Sequence, residues 1–132
     1  MKIIEGKNAI LGRLASYGAK EALKGEEIVI VNCEEIIITG SATDIRKNFE
    51  EKRGRVGSTQ KGPKVSRSIE KVVKRVIRGM LPNYRVGRGR EALKRIRCYI
   101  GVPSEYENSK RIEIETHTGF KSKKMTIGEV FK

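Results

Sequence analysis

Tryptophan is absent from this 132-residue chain and histidine occurs once, at His117. With His117 set among Thr and Gly, a Ser-His-Asp or Cys-His nucleophile would have to be assembled from distant residues, so His117 reads as a surface or partly packed side chain. The only two cysteines, Cys33 and Cys98, stand far apart in the chain with no His beside either. That spacing argues against a zinc site and supplies no disulfide framework, so both read as buried thiols. No apolar run approaches the roughly 18 to 20 residues that span a bilayer, and Met1 to Glu5 lacks the long apolar segment of a secretion signal. A soluble, cytoplasmic chain with no membrane partner is expected. Acidic residues are also scarce: 16 Asp and Glu face 29 Lys and Arg, for a net charge of +13. The length fits one domain.

The positive excess is concentrated. Between Arg46 and Arg97 there are 18 basic residues and four acidic ones, Glu50, Glu51, Glu70 and Glu91. The flanking segments together are almost neutral. So large a charge opposes compaction by self-repulsion, and a polyanionic partner, nucleic acid first, accounts for it. A membrane surface would favour a helix with Trp, Phe or Leu on its apolar side, whereas the best amphipathic helix here is lined with Val and Ile.

The chain reads as alternating strands and helices. Lys2 to Glu5 is a short apolar strand, and Asn8 is a candidate cap for a helix carrying Leu11, Leu14, Ala15, Ala19, Ala22 and Leu23, stopped by Gly25. Ile28-Val29-Ile30-Val31 is a continuous β-branched run, as in a strand covered on both faces of a parallel sheet. Strand, helix, strand implies a right-handed crossover. After the polar turn at Asn32 to Glu35, Ile36 to Thr39 resumes as a strand. Ser41 with Asp44 resembles a capping box opening a helix that carries Ile45 and Phe49 and runs to Gly54. Residues 53–66, with three Gly, one Pro and no acid, read as a mobile basic loop.

Ile69, Val72, Val73, Val76, Ile77 and Met80 follow at helical spacing, with Arg67, Lys71, Lys74, Arg75 and Arg78 on the other side. Gly79 and Pro82 end that helix. Arg90 to Arg97 is expected to form a short helix with Ala92, Leu93 and Ile96 inward, and Cys98 to Val102 a strand. Ile112 to Glu115 alternates like an exposed edge strand, and Ile127, Val130 and Phe131 can anchor a final helical turn. The expected class is α/β, with a mostly parallel sheet of about four strands and helices on both faces. Residues 1–106 form the single domain, and 107–132 an irregular tail packed on it or extending from it.

Three functional readings compete. The Asn32-Cys33-Glu34 turn, at the carboxyl end of a parallel strand, is where an α/β enzyme would bind a nucleotide. Phosphate-binding glycines are missing there: Gly87-Arg88-Gly89-Arg90 lacks the third glycine of a dinucleotide loop, and no Walker sequence occurs. A free-standing nucleic-acid chaperone would share the charge. Seven aromatics in the whole chain, none between 50 and 83, give few platforms for stacking single-stranded bases, which favours folded, backbone-rich RNA. Arginine outnumbers lysine between 75 and 97, and its guanidinium fork can grip phosphate oxygens in pairs.

Four blocks in order then resemble a known family. They are Ile10-Leu11-Gly12-Arg13-Leu14-Ala15-Ser16; Ile28 to Glu34 with Ile38-Thr39-Gly40; Val76-Ile77-Arg78-Gly79-Met80-Leu81-Pro82; and Gly89-Arg90-Glu91-Ala92-Leu93-Lys94-Arg95. Together they look like the large-subunit ribosomal protein L-thirteen family, in its archaeal and eukaryotic form, over residues 1–106. The resemblance implies a three-layer α/β/α fold and a structural, non-catalytic protein without cofactor, metal or small-molecule substrate. It also implies that the chain binds large-subunit ribosomal RNA beside neighbouring ribosomal proteins, supports subunit assembly, and is a monomer away from the particle. By the same resemblance Arg78, Arg88, Arg90, Lys94 and Arg95 lie near RNA. With the charge pattern, the expected RNA-contacting set is Arg53, Arg55, Lys61, Lys64, Arg67, Lys71, Lys74, Arg75, Arg78, Arg85, Arg88, Arg90, Lys94, Arg95 and Arg97.

Overall fold

The computed structural model describes residues 1–60, 62–114 and 122–132. His117 and Lys61 therefore lie outside the described residues. In chain order the elements are β1 (Lys2–Glu5), α1 (Leu11–Leu23), β2 (Ile28–Val31), a 3-10 turn (Cys33–Glu35), β3 (Ile37–Thr39) and α2 (Ala42–Gly54). A second 3-10 turn (Ser58–Gln60) precedes α3 (Ile69–Gly79), α4 (Gly87–Lys94), β4 (Ile96–Cys98) and a third turn (Ser104–Tyr106). The remaining elements are β5 (Arg111–Glu113), β6 (Lys124–Thr126) and α5 (Ile127–Val130).

Four parallel strands form the central sheet in the order β4-β2-β1-β5. The unbroken β-branched run of β2 puts it in the interior, where all four of its residues are buried. Alternation along the strands then sorts the side chains. Ile4, Ile28, Ile30 and Ile96 join Leu14, Ala15, Ala19 and Ala22 of α1 and Val73 and Ile77 of α3 in one core. Ile3, Val29 and Val31 face the other way, onto Tyr99, Val102 and Tyr106. The sheet is thus the middle of three layers, with α1, α3 and α4 on one side and the Ser104–Tyr106 turn on the other. Each fully buried Ile or Val contributes roughly 1.5–3 kcal/mol to this arrangement.

Several local expectations change. Asn8 does not cap α1: it takes a left-handed φ of 58° in the preceding turn, and Ile10 occupies the cap position. Ser41 does cap α2 by position, but its hydroxyl lies 3.3 Å from that of Thr43 and makes no capping hydrogen bond. β3 leaves the main sheet and pairs antiparallel with β6, a strand the sequence pattern did not announce. Thr126 and Glu129 form the capping box of α5, which seats Phe131 edge-on against Phe49 of α2.

The largest shift is at α4. This helix begins three residues earlier than expected, because Gly89 lies so close to the Pro82 carbonyl that a Cβ would fall 1.6 Å from its oxygen. Ile96 then enters the sheet beside Ile28 instead of ending the helix, and β4 starts two residues early. Met80, expected on the apolar face of α3, is exposed beyond the helix end, while Leu81 turns inward.

Candidate nucleic-acid interface

Helix α3 divides cleanly between packing and charge. Val72, Val73 and Ile77 are buried; Lys71 and Arg75 are exposed on the far side, with Lys74 and Arg78 at the margin. Residues 64–66 run alongside and close a cleft of about 300 Å³ lined by Lys64, Lys71, Lys74, Arg75 and Arg78, with Val65, Ser66, Val72 and Leu93 between them. No carboxylate lines it. A second cleft of about 300 Å³ shares Lys64 and Val65 and adds Arg53, Arg55 and Arg67. Its wall is held by Gly62, whose missing side chain lets the loop close on itself: a Cβ there would stand 2.5 Å from the Arg55 carbonyl and the Gly57 nitrogen. A third cleft, about 260 Å³, shares Lys71 and Lys74 and continues along the open edge of β4 to Arg97 and Tyr99, with Glu70 on its rim. Shared walls join these clefts into one track running from the end of α2, across α3, to the sheet edge.

At the other end of α3, arginines gather around a single ring. The Arg78 guanidinium carbon lies 4.6 Å from the Tyr84 ring centroid and that of Arg85 lies 5.6 Å away. The adjacent Arg85 guanidinium, with the charges of Arg78 and Arg75, holds the phenol below its ordinary range. Among the described residues, the only ion pair of the basic segment joins Arg95 to Glu91 at 3.6 Å, and a pair so exposed contributes little. Among the described residues the cations along the three clefts make no ion pair, and Glu70 is the one carboxylate on their walls.

Other expected contact residues are placed differently. Arg95 turns inward, its Nη1 donating to the Ala22 carbonyl at 3.4 Å, which ties the end of α4 to the end of α1. Lys74 lines the track but also donates to the Ile96 carbonyl at 2.7 Å, covering an open acceptor on the β4 edge. Arg53 stacks on Phe131 at 4.4 Å, and its Nε and Nη2 are occluded without a partner among the described residues. Arg88, Arg90 and Lys94 stand exposed on α4, outside the three clefts.

The competing turn after β2 is occupied by structural bonds. Both Glu34 carboxylate oxygens accept from the Gly101 N–H, at 3.1 and 3.0 Å, and Asn32 Nδ2 donates to Glu5 at 2.7 Å. Cys33 is buried, its thiol donating to the Ile30 carbonyl at 3.7 Å, and the neighbouring Cys98 thiol together with burial pushes it far up. Among the described residues no group of three or more His, Cys, Asp or Glu side chains could hold a metal ion.

The family model described as "Ribosomal protein L13" matches residues 1–105. The chain belongs to this family. It is 43% identical to the large ribosomal subunit protein uL13 of Methanosarcina barkeri over 134 aligned positions, covering 98% of this chain and 94% of that protein. It is 42% identical to the uL13 protein of Methanocaldococcus jannaschii, covering 100% of this chain and 96% of that one. The uL13 protein of Methanococcoides burtonii is 38% identical over 98% of this chain and 94% of its own length.

Within the uL13 family framework, the Arg-Gly-Met-Leu-Pro block is where α3 ends and the chain turns back, bringing Arg78 to Tyr84. The Gly-Arg-Glu-Ala-Leu-Lys-Arg block is α4, whose Gly89 supplies the close approach and whose Arg95 supplies the tie to α1. Tyr84 was not among the expected residues. Its signal was an aromatic directly before Arg85 and six residues after Arg78 in an otherwise aromatic-free stretch.

Proposed function

We propose that this chain is a structural constituent of the large ribosomal subunit that docks on folded ribosomal RNA and supports assembly of the particle. The observation that carries this reading is the continuous cationic track, whose lysines and arginines make no ion pair among the described residues and share their walls with a single carboxylate, Glu70. A polyanion relieves the self-repulsion along such a track. Lys64, Arg67, Lys71, Lys74, Arg75, Arg78 and Arg97 line or flank the track, and Arg85 extends it. Arg53 and Arg55 flank its loop end. Arg88, Arg90 and Lys94 reach outward from α4 toward adjoining RNA, and Arg95 supports them from beneath. The protein acts in the cytoplasm on the ribosome, beside other ribosomal proteins. It works by charge neutralisation and positioning, not by catalysis.

The test is a salt titration of affinity for large-subunit RNA transcribed in vitro. If six to ten phosphates are engaged, affinity falls by roughly three to five orders of magnitude between 50 and 200 mM salt. A flat response rejects the mechanism. Co-sedimentation of the protein with large subunits in a lysate separates a ribosomal constituent from a chaperone that binds unrelated duplexes away from particles.

A further inference from the structure

Tyr84 is half-buried and sits in a short link, residues 80–86, whose course is over-determined. Leu81 anchors one end in the core, the Val86 N–H closes a turn on the Asn83 carbonyl at 3.3 Å, and Gly89 locks against Pro82. The backbone that carries the ring is therefore held in place before any ligand arrives. Arg78 comes to it from the last turn of α3 and Arg85 from the link itself. Neither arginine makes an ion pair among the described residues.

The choice of an aromatic here has a physical consequence. A carboxylate would hold both guanidiniums more strongly, but it would cancel one positive charge and compete directly with a phosphate for the same donors. A ring attracts the cations through its quadrupole and leaves the net charge intact. It also orders side chains that otherwise carry much rotamer freedom, so less ordering is deferred to binding.

We propose that Tyr84 is a positioning residue that pre-orders Arg78 and Arg85 as a two-guanidinium clamp for neighbouring phosphates of one RNA strand. This rests on the RNA-docking reading above. Tyr84 need not touch the RNA; its effect is exerted through the two arginines.

The experiment compares Tyr84→Phe, Tyr84→Leu and Arg78→Gln in the full chain, measuring Kd for in vitro transcribed large-subunit RNA from 50 to 200 mM KCl. Tyr84→Leu is expected to weaken binding about tenfold at every salt concentration, with the slope of log Kd against log salt unchanged, because every cation is still present. Tyr84→Phe, which keeps the ring, recovers most of that loss. Arg78→Gln both weakens binding and lowers the slope by about one, since one phosphate contact is gone. Wild-type affinity in Tyr84→Leu, or a slope lowered as in Arg78→Gln, overturns the proposal. A second readout needs no RNA. In the free protein, the side-chain NMR signals of Arg78 and Arg85 should show ring-current shifts that persist in Tyr84→Phe and vanish in Tyr84→Leu. If those shifts are present while wild-type binding is insensitive to salt, the RNA reading fails and the arginine arrangement stands. If the shifts are absent in wild type, the clamp itself is refuted.

Discussion

Two regions of this molecule use the same charged residue types in opposite ways. At the end of the sheet and along α1, charges are paired: Glu21 receives both Lys2 and Lys24, and Glu5 receives Arg111 at 2.9 Å and Asn32 at 2.7 Å. Across the clefts on α3 the cations outnumber any carboxylate within reach, and they are held in place by packing, backbone carbonyls and aromatic rings. The first arrangement is complete in itself and supports the fold. The second leaves its cations unpaired among the described residues. Charge type alone does not distinguish a structural residue from a binding one; the partner it finds in the folded chain does.

The comparison breaks most visibly where packing is disturbed. Gly89→Ala places a methyl group against the Pro82 carbonyl, which cannot retreat without moving the link that carries Tyr84 and Arg85. A loss of about 3 kcal/mol in urea unfolding is expected, with RNA affinity falling alongside. A variant of normal stability would show that the turn is looser than described.

Glu5→Gln attacks the paired region. Its carboxylate is pushed up by burial, but hydrogen bonds from Asn32 and Arg111 outweigh that and hold it below the usual range. Removing the charge should cost about 1–3 kcal/mol of stability and leave the salt slope of RNA binding unchanged. The sign of the pH effect follows. Glu5 and Glu21 are both depressed in the folded state, so their contribution is present above the ordinary carboxylate pKa near 4.5 and is lost as pH falls through and below it. Wild type should lose thermal stability over that acid range, and Glu21→Gln should flatten the loss.

The smallest stability effect belongs to the belt. Lys71→Gln with Arg75→Gln should change unfolding free energy by no more than about 0.5 kcal/mol while reducing the RNA salt slope by about two. A stability loss above about 1 kcal/mol would reveal that these residues support the fold after all.

Periodicity carried much of the architecture in advance. The run Ile28 to Val31 and the stripe Ile69 to Ile77 identified β2 and α3 because burial on two faces and burial on one face leave different residue patterns. Contacts between distant segments left no such trace. β3 finds β6 across most of the chain, and Cys33 meets Cys98 only because β4 lies next to β2. The start of α4 was misplaced because glycine usually marks a loop, whereas Gly89 is there for a close backbone approach. The basic belt was readable as composition, but the inward turn of Arg95 and the stacking of Arg53 on Phe131 depend on tertiary neighbours.

Lysine acylation footprinting, with and without large-subunit RNA and resolved residue by residue by mass spectrometry, tests the division between the two regions most directly. Lys64, Lys71 and Lys74 should become strongly protected in the complex, while exposed Lys7, Lys20 and Lys110, outside the track, keep their free-protein reactivity. Equal protection over the whole surface, or protection of Lys7, Lys20 and Lys110 with Lys71 left reactive, would contradict the account.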